Sequence, residues 1–127
     1  MEPQSAIDYI DHILQAARLA CEYVDGWERE QFFKDRRTQQ AVILNLIVIG
    51  EAATRLMQEY PQIIERFPEV PWRSMKGMRN RIAHGYFEIN LQIIWDTVRT
   101  ALPALIGQLE ALRPAQGNDG DHTGPDT

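Results

Sequence analysis

Apolar residues recur along this chain at the spacing of helices. Ile7, Ile10, Leu14, Ala17, Cys21 and Val24 alternate in steps of three and four, the stripe of one helical face, and Ser5 with Asp8 forms an S-x-x-D capping box that places the helix start at about Ser5. A second long segment runs from about Thr38 to Tyr60. From Ala41 to Ile49 it is apolar on almost every side except Asn45, and its continuation GEAATRLMQEY consists largely of strong helix formers with no turn signal before Pro61. A third stripe, Leu91, Trp95, Val98, Leu102, Leu105, Leu109 and Leu112, belongs to a helix starting at Asn90 and ending near Arg113, with Pro103 expected to kink it. Between these lie two connectors: DGWEREQFFKDRR, read as a short helix that turns Trp27, Phe32 and Phe33 inward, and PQIIERFPEVP, whose prolines leave room for a turn or two of helix. The pattern predicts an all-α fold, an up-down bundle of four to five helices over residues 1–113. After Arg113 the chain is rich in Gly, Pro and Asp, so 114–127 is expected to be a disordered tail in which His122 has no role.

A length of 127 residues with 44% hydrophobic positions supports one core and one domain. The net charge of −5 excludes a generally basic, nucleic-acid-coating surface but not a local basic site. Cys21 is the single cysteine and sits on the first helical stripe, which makes it a small core residue, whereas His12 falls off that stripe and reads as a solvated surface histidine. No Cys/His spacing suggests zinc, and no phosphate-binding glycine loop is present, so neither a metal nor a cofactor is expected. The N-terminal MEPQSAIDYIDHI lacks the basic and apolar regions of a signal peptide. AVILNLIVIG is only about half the ~20 residues of a membrane span. These readings predict a cytoplasmic protein without a membrane association. A helix apolar on all sides must be covered on all sides, by its own bundle or by a second copy, so the 41–49 segment points to a homodimer.

One stretch breaks the acidic balance. WRSMKGMRNRIAHGY, residues 72–86, holds Arg73, Lys76, Arg79 and Arg81 without a carboxylate, and taking this +4 from the chain's −5 leaves the rest at −9. As a helix at about 100° per residue, the segment sends Met75, Met78, Ile82 and Tyr86 to the core side. Arg73, Lys76, Asn80 and His84 collect opposite, with Arg79 at the edge leaning in, and a phosphate fits that strip. Gly85 offers a place for the helix to stop and turn Tyr86 outward instead. The residue types suit RNA cleavage without a metal: an imidazole takes or gives the proton at the 2′- or 5′-oxygen, and a guanidinium stabilises the crowded phosphorane. One chain supplies one such histidine; a symmetric pair would supply two across the axis. The plainer readings are a surface histidine, a solvated basic face and a core tyrosine, and the residues alone carry the case only as far as anion binding.

The residues Arg79, Asn80, His84 and Tyr86 form an R-x4-H-x-Y motif, and with IGEAATRL at 49–56, the PW at 71 and 72, and GMRN at 77–80 the chain resembles the HepT-like branch of the HEPN superfamily, the toxins of HEPN/MNT toxin-antitoxin systems. The resemblance covers about residues 5–112 and the motif is intact. It implies a dimeric, metal-independent ribonuclease with a composite cleft, in which Arg79 holds the scissile phosphate, His84 is the acid/base, and Asn80 orients phosphate or imidazole. Arg73, Lys76 and Arg81 would support RNA binding. Tyr86 matches the tyrosine that a partner nucleotidyltransferase antitoxin modifies with AMP, which places charge and bulk where the RNA backbone must sit. The same cleft also suits a non-catalytic module that binds nucleotide or RNA and docks the nucleotidyltransferase, and a purely structural dimer with incidental charges is a third reading. Glu51, beside Gly50 in an apolar helix, is expected to be a buried partner of a cleft arginine.

Overall fold

A computed structural model describes the backbone of residues 5–120 and the side chains of residues 5–112. Helix α1 (Ala6–Tyr23) starts at the capping box: the Asp8 amide donates to Ser5 Oγ at 3.1 Å and the Ser5 amide to Asp8 Oδ2 at 3.2 Å. It stops at a turn in which Gly26 takes a φ of +78°, a conformation that glycine adopts without the steric cost other residues bear. Helix α2 (Arg29–Lys34) buries Phe32, but Phe33 is exposed beneath the Arg29 guanidinium, 5.8 Å from its ring. Only six residues form α2, and adjacent positions on so short a helix cannot both face the core. The inward placement expected for Phe33 is therefore corrected.

Helix α3 (Arg36–Glu59) is capped by Asp35, which accepts from the Thr38 amide at 3.0 Å, and it is the centre of the bundle, packed on α1 along one side and on α5 along another. Its most apolar window has a mean hydropathy of 1.4, enough by length and composition for a membrane span, and half of that window is buried inside the fold. The third side is open: Leu44 is 60% exposed and Val48 is also exposed. The prolines behave as expected. Pro61 begins the short α4 (Pro61–Arg66), and Pro71 precedes α5 (Trp72–His84), whose first residue is buried and donates its indole N–H to the Phe67 carbonyl at 3.0 Å.

After α5 the chain makes a 3₁₀ turn (Tyr86–Glu88) and re-enters helix at Asn90, whose side chain accepts from the Gln92 and Ile93 amides. The third stripe is not one α-helix. It consists of α6 (Leu91–Asp96), a π turn (Thr97–Ala101) and α7 (Leu102–Gly120), with α7 packed on α1. Proline lacks an N–H and crowds the carbonyl four residues back, so the disturbance predicted at Pro103 takes the form of a widened turn just before it. Trp95, Val98, Leu102, Leu105, Leu109 and Leu112 are all buried, joining Ile10, Ile13, Phe32, Ile49 and Leu56 in one core. Cys21 lies partly buried with its thiol 3.7 Å from the Val98 carbonyl, and burial pushes its pKa up, as suits a packing residue. The backbone is helical to Gly120, past the boundary expected at Arg113, and the rest of the predicted tail, with His122, lies outside the described residues.

Candidate nucleic-acid site

The site is built where α5 crosses α3. Gly50 makes the crossing possible: a Cβ there would overlap Arg79 Cβ and stand 2.8 Å from the Met75 carbonyl oxygen. The backbones therefore approach closely enough for Arg79 to lie flat against α3, with its side chain 23% exposed. Two further α3 residues receive the guanidinium. Thr54 is buried and donates its hydroxyl proton to the Gly50 carbonyl at 2.8 Å, which leaves its oxygen lone pairs toward Arg79 Nη2 at 3.4 Å. Glu51 Oε2 stands 3.4 Å from Arg79 Nε but out of line for a hydrogen bond, so Nε is enclosed with no aligned acceptor. A buried donor without an aligned bond is costly in a native fold, and the charge of the Glu51 carboxylate beside it offsets part of that cost.

The arrangement corrects the predicted strip. Arg79 does not lean toward His84 but turns to α3, and five helical steps set the two side chains about 140° apart around α5. His84 is the last residue of α5 and is exposed, with no hydrogen bond to its ring among the described residues. Arg73 and Lys76 are exposed and Asn80 is partly buried, as a solvent-facing basic arc requires. Arg81 is on the other flank, lining a cavity of about 260 Å³ with Met78, Ile82 and Ile93, away from Arg79. Met75 and Ile82 occupy the core side as expected, whereas Tyr86 does not: α5 stops at Gly85, whose N–H still bonds the Arg81 carbonyl, and Tyr86 sits on the 3₁₀ turn, 46% exposed.

Glu51 is the partner of the cleft arginine that the sequence suggested, but its side chain is 56% exposed rather than buried. His12, read as a surface histidine, is exposed and lines a shallow groove with Val48, Glu51 and Arg55. Two residues escaped the sequence reading. Thr54 follows Gly50 by one helical turn, so their shared face was a usable signal, and Phe87 is an aromatic in a Gly-containing turn where nothing local could cover it. Among the described residues no three His, Cys, Asp or Glu side chains gather as a metal site.

With this geometry in place, the comparisons with known proteins are decisive for kinship. The family model described as "Ribonuclease HepT-like" matches residues 13–112. The chain belongs to the HepT-like ribonuclease family. It is 37% identical to "Probable ribonuclease HepT" of Thermococcus cleftensis over 84% of this chain and 94% of that protein. It is 35% identical to a Methanocaldococcus jannaschii protein titled "Putative RNase MJ0127", over 87% of this chain and 90% of the other. A similarly titled RNase of Caldanaerobacter subterraneus subsp. tengcongensis is 36% identical over 82% of this chain and 90% of its own length. No solved structure matches the chain significantly. The matched span contains the whole α3–α5 site, from Gly50 to Tyr86.

Proposed function

We propose that this HepT-like protein is a metal-independent endoribonuclease, the toxin of a toxin-antitoxin pair, acting in the cytoplasm. The observation that carries the reading is the Arg79 cradle: a guanidinium laid against Gly50, Glu51 and Thr54, its Nε enclosed without an aligned acceptor, five residues before an exposed histidine at the end of the same helix. Fixing a cation before substrate arrives lowers the cost of reorganising it in the transition state. In the reaction, His84 takes the ribose 2′-hydroxyl proton, the 2′-oxygen attacks phosphorus, and the P–O5′ bond breaks as the protonated imidazole of a second copy's His84 gives its proton to the leaving 5′-oxygen, leaving a 2′,3′-cyclic phosphate. Arg79 stabilises the extra negative charge on the phosphorane. Arg73, Lys76 and Asn80 guide the RNA backbone along the outer arc of α5, and Arg81 adds charge from the far flank.

Because Arg79 and His84 diverge around α5, the proposed site is completed by a second copy. Leu44, Val48 and Glu51 are spaced four and three apart and form one stripe of α3, so the uncovered apolar face abuts the Arg79 cradle. A two-fold pairing on that stripe brings one chain's Arg79 toward its partner's His84. Leu44→Glu is expected to give monomers in sedimentation and to lose cleavage with them. Control of the toxin falls to Tyr86: a nucleotidyltransferase antitoxin transfers AMP from ATP to its exposed hydroxyl, releasing pyrophosphate, and the added charge and bulk beside His84 exclude RNA.

The deciding experiment incubates the purified protein with total RNA in excess EDTA, beside folded His84→Ala protein, and identifies the new ends. Cyclic 2′,3′-phosphates present with the parent and absent with the variant are expected. Intact RNA in both tubes, with Tyr86 unmodified, replaces this reading with that of a non-catalytic module that binds RNA or nucleotide and docks the nucleotidyltransferase.

A further inference from the structure

Just past His84, the turn that carries Tyr86 and Phe87 roofs a cavity of about 360 Å³ whose opposite side is the first turns of α3, with Arg36, Gln39 and Gln40. Its lining is unusual for a surface hollow. Phe87 is 99% exposed, and the Tyr86 and Phe87 rings meet edge to face at 5.9 Å and 81°, so Phe87 is oriented by a neighbour while most of its π-surface remains bare. Single exposed apolar side chains are ordinary on a protein surface, but here two adjacent exposed rings, Tyr86 and Phe87, form one contiguous aromatic surface at the mouth of a hollow. Across from it, Gln39 donates both its amide hydrogens, to the Phe32 carbonyl at 2.9 Å and the Phe33 carbonyl at 3.1 Å. That fixes its amide nitrogen inward and leaves its carbonyl oxygen to accept. Gln40 is exposed with its side-chain amide unbonded among the described residues, and Arg36 is exposed with no ion pair among them.

A bare aromatic face, two amides and an unpaired guanidinium in one hollow are the groups that hold an unpaired nucleotide: the ring stacks on the base, the amides bond its polar edge, and the cation meets the next phosphate. We propose that this cavity is a base-binding subsite that seats an unpaired nucleotide of the RNA next to the bond cleaved at His84, with Phe87 as the stacking platform and Gln40 and Arg36 as edge and phosphate contacts. The inference rests on the RNA reading above and deepens it, because it makes the substrate single-stranded at the cleavage point. A paired base presents no free face to Phe87 and no free edge to Gln40.

The test measures binding, so that cleavage does not interfere. Full-length His84→Ala protein is titrated into a fluorescent single-stranded RNA oligonucleotide and into the same sequence as a duplex, and Phe87→Ala, Phe87→Leu and Phe87→Trp are added on that background. Full exposure of the ring makes these changes harmless to folding, which circular dichroism checks, and sedimentation checks the assembly state. The subsite predicts preference for the single strand, about tenfold weaker binding for Phe87→Ala, equivalent to ~1.4 kcal/mol, nearly as large a loss for the apolar but non-aromatic Phe87→Leu, and retention in Phe87→Trp. A photoreactive 5-iodouridine in the oligonucleotide should crosslink to the peptide containing Tyr86 and Phe87. If all three Phe87 variants bind as the background protein does while Arg79→Ala weakens binding, the RNA reading stands and the subsite is overturned. If the Phe87 variants change sedimentation but not affinity, the ring belongs to an interface between copies and the subsite is again overturned. If the background protein binds no RNA, both readings fall together.

Discussion

Arg79 and Arg81 stand on the same helix, separated only by Asn80, and are held in opposite ways. Arg79 is folded onto α3 by a glycine that admits it, a threonine that accepts from it and a glutamate that neutralises part of its charge. Arg81 is exposed, lacks an ion pair among the described residues and borders a largely apolar hollow. Both contribute one positive charge to the segment, so net charge does not distinguish them. What distinguishes them is entropy and orientation: Arg79 has given up its rotamer freedom during folding, whereas Arg81 would have to give it up on binding. A fixed cation can be aimed at a transition state; a mobile one mainly raises the local concentration of polyanion.

Substitutions at the two positions should therefore separate sharply. Arg79→Ala is expected to lower kcat/KM for RNA by roughly a hundred- to a thousandfold, the range found when a preorganised donor is removed, and equal activity in the variant would break the contrast. Gly50→Ala acts at the α3–α5 crossing that holds the cradle. The added methyl group meets Arg79 Cβ and the Met75 carbonyl, so α3 and α5 must separate at a cost of ~1–3 kcal/mol, read as a drop in Tm of roughly 5–15 °C with reduced cleavage. An unshifted melting curve would mean the helices have slack there. Arg81→Ala should weaken RNA binding only a few-fold and about equally for every sequence tested in a fluorescence titration. Glu51→Gln is the finest probe: with a half-exposed carboxylate, stability should stay within ~1 kcal/mol, while RNA binds a few-fold tighter because no negative charge competes for Arg79. Weaker binding would show that Glu51 positions Arg79 rather than competing for it.

The helices, the capping box at Ser5, the cap at Asn90 and the basic arc of α5 were legible because each depends on residues close in sequence. The R-x4-H-x-Y motif was legible as well, but the direction of Arg79 was not. A position at the margin of a helical stripe can turn either way, and the choice depended on residue 50 of another helix lacking a side chain. The exposure of Glu51 depended likewise on α3 having an open third side. For Tyr86 the helical period pointed to the core and Gly85 to an outward turn, and the glycine prevailed because the helix ends there; Phe33 was misplaced because a helix as short as α2 buries only one of two adjacent aromatics. The π turn before Pro103 replaced a simple kink for the same reason: sequence marks where a backbone bond is lost but not how the surrounding turns absorb it.

The enclosed Nε of Arg79 has a spectroscopic consequence. Shielded from water, its proton should exchange slowly enough to give a resolved nitrogen–proton correlation in solution NMR, while the solvent-facing arginines of the same segment fade by exchange. That resonance belongs to the group proposed to meet phosphate. Its movement would report arrival of an oligonucleotide, a partner protein or a modified tyrosine, each with its own chemical shift, in a protein that has not turned over a single substrate.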